Sequence, residues 1–110
     1  MTVHPLLRVL VVAVALSIGT APECARAAAK EGQAIFAAQK CIKCHTLGEE
    51  AGEAAGMGGV LDGVGSKRTP AWLKSYLQDP SKVIPASKMP QADLQPAEID
   101  SLVAYLSSLK

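Results

Sequence analysis

The sequence predicts an all-α domain with two long loops. Three observations lead to that class. Residues 27–39 are almost all strong helix formers, and two later segments open on helix-starting prolines and carry apolar residues at helical spacing. No apolar–polar alternation runs far enough to make a convincing strand. The stretches between these segments are dense in glycine or bracketed by proline, which marks them as loops.

The first 27 residues read as a separate, removable piece. Arg8 precedes an apolar run over residues 9–18, Gly19 and Pro22 break it, and Ala25-Arg26-Ala27 is a small-x-small site of the kind signal peptidase cuts. A run of ten residues is short against the roughly 20 that span a bilayer, so a membrane anchor is the weaker reading. Ala27-Ala28-Ala29 offers a second cleavage site. Cys24 is preceded by Pro22 and Glu23, not by the small apolar residues of a lipoprotein signal. The expectation is a signal peptide at 1–27 and one mature domain at 28–110, exported to the periplasm with no stable membrane insertion after cleavage.

Within the domain, the first helix, over 27–39, carries Ile35 and Phe36 as a short apolar ridge. Seven glycines from Gly48 to Gly65 then read as a long loop. Thr69-Pro70 is a good helix start, with threonine as cap and proline in the first turn. Trp72, Leu73, Tyr76 and Leu77 follow on one face, and Pro80 closes the segment. Pro85 and Pro90 bracket a second loop. Pro96, with Glu98 two residues on, opens a last helix to about Leu109, with Ile99, Leu102, Val103, Leu106 and Leu109 as its core stripe. Loops this long in a compact domain tend to be functional.

Composition narrows the function. From Ala28 onward nine basic side chains face nine acidic ones, with no basic stripe that would point to nucleic acid. Lys40, Lys43, Lys67, Arg68, Lys82 and Lys88 lie near the motifs, either as solvated surface or as a docking ring for an acidic partner. The mature 83 residues hold one Phe, one Trp and two Tyr, a marginal core that commonly needs a metal, disulfides or a cofactor.

Cys41, Cys44 and His45 are the chemical centre, in the stretch "AAQKCIKCHTLG". A zinc site needs four ligands, and after signal removal no other Cys or His remains. A thiol–disulfide pair usually sits where a strand meets a helix in a βαβ unit, and none is visible. C-x-x-C-H is the signature of covalent haem attachment. Two thiols three apart reach the two vinyl groups on one edge of the porphyrin, forming two thioethers. The next residue, His45, is carried under the ring to meet the iron. One haem c is therefore the expected cofactor. A second axial ligand is open between two methionines. Met89 is held between Lys88 and Pro90, while Met57 lies among glycines that make placement costly in chain entropy.

Over nearly all of residues 28–110 the sequence resembles the class I c-type cytochromes. The resemblance is carried by "GQAIFAAQKCIKCH", "GGVLDGVG", "TPAWLKSYLQDP", "KMP" and "EIDSLVAYLSSL". It implies three to four helices wrapped around one covalently bound haem. It implies Met89, the methionine before proline, as second axial ligand beside His45, and packing of Gly32 and Phe36 against Tyr105. It also implies Trp72 as a residue reaching a haem propionate, a role that competes with that of a plain core aromatic. One position departs: the Gly-Pro pair whose carbonyl orients the ligand histidine is here Gly58-Gly59. The carbonyl survives and the rigid backbone does not. The function this implies is one-electron transfer between redox protein partners, without catalytic turnover, by a monomer. Alternatives are a dedicated haem subunit of a larger periplasmic dehydrogenase or oxidase complex, or an open-site haem enzyme or gas sensor.

Overall fold

The computed structural model describes residues 23–110. Most of the expected signal peptide, up to Pro22, lies outside the described residues. Among the described residues six helical segments occur in chain order: α1 (Glu23–Ala38), α2 (Ala55–Gly58), α3 (Val64–Lys67), α4 (Pro70–Gln78), α5 (Pro80–Val83) and α6 (Pro96–Ser108). A 3-10 turn spans Cys41–Lys43, and strands β1 (Thr46–Leu47) and β2 (Glu50–Ala51) pair antiparallel. The three to four helices expected are the long ones plus short turns. The fold is that of an all-α domain, with a hairpin of two residues a side.

The start of α1 differs from the sequence expectation. Among the described residues α1 already runs from Glu23, and residues 23–27 are exposed throughout; side chains first become partly buried at Ala28 and Ala29. Helix propensity, high in "ECARAAAKEGQ", carries the helix through residues 23–27, which make no packed contact surface; burial begins only at Ala28.

α4 and α6 start where their caps dictate. The Thr69 hydroxyl accepts from the Trp72 amide at 3.1 Å, and Pro70 needs no donor partner in the first turn. At α6, Gln95 and Glu98 form a reciprocal capping box ahead of Pro96. Pro80 does more than end α4: α4 stops at Gln78 and Pro80 opens the short α5, where its fixed φ suits a new first turn.

One core joins these helices. Phe36 from α1, Leu73 and Leu77 from α4, and Ile99, Leu102, Val103 and Leu106 from α6 are buried together. Leu109, expected at the end of the stripe, packs against this cluster while only half-buried, because α6 stops at Ser108. α1 crosses α6 at Gly32, where a Cβ would collide with the Ser101 carbonyl, so the helices meet backbone to backbone. Phe36 meets Tyr105 edge-on at 5.5 Å and 63°, as the resemblance implied. Burial, and then the Glu50 carboxylate, push the Tyr105 hydroxyl up in pKa, consistent with a neutral packing role.

Candidate functional site

Among the described residues, the segments facing α4 and α6 across the site carry no long helix. Segments 39–61 and 84–92 instead enclose a cleft. Its larger lobe, about 570 Å³, is lined by Cys41, Cys44, His45, Met57, Tyr76, Leu77, Ile84, Met89 and Leu102 among others. A second lobe of about 290 Å³ shares Cys41, His45, Leu77, Met89 and Leu102 and extends to Leu61, Val64, Lys67, Arg68 and Trp72. The shared residues make the lobes one cleft. Each lobe alone is close to or within the roughly 300–1,000 Å³ usual for cofactor sites. Leu77 and Leu102 belong both to the core and to the cleft, so the floor of the site is the core itself.

The cysteines enter on the 3-10 turn. Lys40, in the left-handed region at φ 56°, turns the chain sharply off α1, and Cys41 accepts from the Cys44 amide at 3.2 Å and the His45 amide at 3.1 Å. Lys40 is the one non-glycine residue with positive φ among those described, an uncommon conformation for a side chain of this length. Cys41 and Cys44 are half-buried free thiols. Burial pushes the Cys41 thiol up in pKa, against a small opposing effect of its backbone hydrogen bond. Among the described residues no group of three or more His, Cys, Asp or Glu converges as a metal-holding set. The zinc reading lacks its converging ligands, and among the described residues the thiol-exchange reading lacks its βαβ unit.

His45 carries the decisive contact. Its Nδ1 lies 3.2 Å from the Gly59 carbonyl. A carbonyl only accepts, so Nδ1 carries the proton and, in the neutral ring, Nε2 keeps its lone pair. That is the tautomer an iron-binding imidazole requires. The residues present therefore fit a haem: two half-buried thiols three apart, a histidine with one nitrogen tethered and the other available, and a mostly apolar cleft beside them. Gly58 is required at this spot, since a Cβ there would come within 2.7 Å of the His45 ring and 2.5 Å of the Cys44 carbonyl.

The structure separates the two methionines. Met57 is 72% exposed at the cleft mouth, whereas Met89 is half-buried, packs on the core and lines both lobes. Trp72 lies in the smaller lobe, stacked on Tyr76 at 5.0 Å with the Arg68 guanidinium 4.1 Å above its ring. Sequence reasoning passed over three contacts. The Tyr76 hydroxyl meets Ser87 Oγ at 2.7 Å, and that oxygen accepts from the Met89 amide at 3.3 Å, tying α4 to the methionine loop. The Asp62 carboxylate holds the Gly48 amide. Tyr76 could have been found from its place on the α4 face; nothing in the sequence marks Ser87 or Asp62.

Comparison with known proteins agrees with this geometry. The Cytochrome c family model matches residues 29–110. A cytochrome c2 from Agrobacterium tumefaciens (strain II Chrys) is 32% identical over 98 residues, covering 69% of this chain and 86% of that protein. No solved structure matches the chain significantly.

Proposed function

This chain belongs to the cytochrome c family, and on that premise we propose that it is an exported single-haem carrier shuttling one electron at a time between redox partners in the periplasm. The covalently bound haem c supplies a one-electron couple between ferric and ferrous iron. The rest is done by the chain. Cys41 and Cys44 would hold the group through two thioethers, and His45 and Met89 would supply the iron's two protein ligands. The Gly59 carbonyl fixes the ring of His45, and Tyr76 with Ser87 steadies the loop that carries Met89. Leu77 and Leu102 present an apolar, water-excluding wall, where the extra charge of the oxidised form is disfavoured. Trp72, beside Lys67 and Arg68, lines the lobe suited to the acidic edge of the cofactor.

The observation that carries this reading is the tethered Nδ1 of His45 within C-x-x-C-H at the edge of an apolar cleft. With His45 and Met89 both given to the iron, the chain would leave no open position for a substrate, which supports a carrier rather than an enzyme. An absorption spectrum of protein matured with haem tests it. A low-spin spectrum with a far-red sulfur-to-iron band, and a denatured mass of chain plus one haem, is expected; tight carbon monoxide binding to the ferrous form would refute it. Export is supported by the charged start, the apolar run and the exposure of residues 23–27 before packing begins. Among the described residues no helix is long and apolar enough to cross a membrane. N-terminal sequencing of periplasmic material should begin at Ala28 or Lys30.

A further inference from the structure

The glycine pair at 58–59 poses a problem that the fold solves elsewhere. Gly59 sits at φ 79°, ψ −178°, a region essentially reserved for glycine and closed to proline. Its carbonyl accepts from the Thr46 amide at 3.1 Å as well as from His45 Nδ1. Two adjacent glycines have no intrinsic reason to hold that conformation. Contacts between segments 44–48 and 58–62 hold it. Gly58 donates to the Cys44 carbonyl at 2.7 Å and Leu61 to the Thr46 carbonyl at 2.8 Å, around a parallel bridge between Thr46 and Val60. The far end is closed by a side chain: Asp62 Oδ1 and Oδ2 accept from the Gly48 amide at 3.0 and 3.1 Å. Gly48, at φ 58°, is the turn residue between β1 and β2.

We propose that Asp62 is a positioning residue for His45: its carboxylate clasps the Gly48 amide, locks the two segments in register, and so holds the Gly59 carbonyl on the imidazole. An ionised carboxylate on a backbone amide is a charge-assisted bond, stronger than the neutral bonds it closes off. Released, the pair of segments frays from the Asp62 end toward Leu61 and then Gly59. The chain thus replaces the stiffness of a proline with a side-chain clasp three residues after Gly59, the position the resemblance gives to proline. The proposal rests on the reading of His45 as iron ligand.

The test uses haem-loaded protein and two readouts: hydrogen exchange of the His45 Nδ1 proton by NMR, and the reduction potential. Asp62→Ala should speed that exchange about tenfold, the order expected for loss of one charge-assisted bond. It should also raise the potential, because a less firmly bonded Nδ1–H makes a less basic ligand. Asp62→Asn, which keeps one acceptor oxygen and preserves the fold if the alanine variant does not, should fall between. Glu49→Ala removes the same charge one residue from Gly48 without touching the clasp, and should leave the exchange rate as in wild type. Wild-type exchange in both Asp62 variants, or equal acceleration in Glu49→Ala, overturns the proposal. A His45 ring showing no iron-induced shift in the wild-type protein overturns the ligand reading beneath it, by a separate signature.

Discussion

The two sides of this molecule are built by different physics. On one side α1, α4 and α6 pack side chain to side chain, and the core from Phe36 to Leu106 follows from helical spacing. On the other, segments 39–61 and 84–92 hold their shape by turns, glycines and single hydrogen bonds, with few buried side chains of their own. The difference teaches where the cofactor's weight falls. The helical side can form from its sequence alone, while the loop side is a wall around something else. A domain this small, with half its interior lined by loops, depends on the haem for that half of its core.

The strongest way to break this comparison is to deny the loops their cofactor. Cys41→Ala with Cys44→Ala should yield protein that carries no covalent haem, read as the bare chain mass under denaturing conditions. Its circular dichroism should keep some helix and lose the cooperative melt. A sharp melt at the temperature of the holoprotein would show that the loop side stands by itself.

Leu102→Ala comes next, because Leu102 is 1% exposed and serves both sides, as core residue and as cleft floor. Loss of about 2–5 kcal/mol is expected for such a truncation. At about 4–8 °C per kcal/mol for a domain of this size, the Tm of the holoprotein should fall by about 10 °C or more. Val103→Ala, deleting fewer atoms at 7% exposure, should cost less.

Met89→Ala and Met57→Ala probe the loop side, Met89 where it packs against the core and Met57 where it is exposed. Met89→Ala should abolish the far-red sulfur-to-iron band and lower the potential, since a soft thioether favours the ferrous form. Met57→Ala, at a site already 72% exposed, should do neither and leave Tm near its starting value. The reverse pattern would give the ligand to Met57.

These outcomes bear on how far the sequence could be read. The helical side was legible because periodicity and helix-start signals are local: Thr69-Pro70, and Pro96 with Glu98 two residues on, mark their helix starts within four residues. The ligand-bearing motif was legible because its chemistry depends on adjacent residues. What the sequence hid is non-local or conformational. Lys40 in the left-handed region has no residue-type signal at all. The Asp62–Gly48 clasp joins residues 14 apart through a side chain that any surface aspartate resembles. The Gly58-Gly59 departure read as a loss of stiffness; in the structure the carbonyl still reaches His45 through a conformation that only glycine adopts.

A smaller effect is expected where the two sides are tied by one polar contact. Tyr76 belongs to α4 and Ser87 to the methionine loop, joined at 2.7 Å. Tyr76→Phe removes that bond while keeping the ring stacked on Trp72, and should cost about 1 kcal/mol. Its spectroscopic mark should be larger than its thermal one: a far-red band that disappears at lower temperature than in wild type, as the Met89 loop loosens before the helices melt. Parallel loss of band and helix would mean the loop is not an independent unit.

The smallest effect should come from the one ion pair among the described residues, Lys74 Nζ to Asp100 Oδ1 at 2.8 Å, which links α4 to α6 across the helical side. The geometry is good, but the side chains are 45% and 59% exposed, so water and salt screen the attraction, and ordering two mobile side chains offsets part of it. Lys74→Ala should therefore change stability by less than about 1 kcal/mol, and the change should shrink further in high salt, where the screening length drops to about 3 Å at 1 M. The potential and the far-red band should stay put, because neither residue lines the cleft. A double-mutant cycle with Asp100→Ala isolates the pair from the helix propensity gained by alanine. A coupling energy well above 1 kcal/mol, insensitive to salt, would mean that α4 and α6 are held by charge as much as by Leu73, Leu77 and Leu102, and the contrast between an apolar helical side and a hydrogen-bonded loop side would fail.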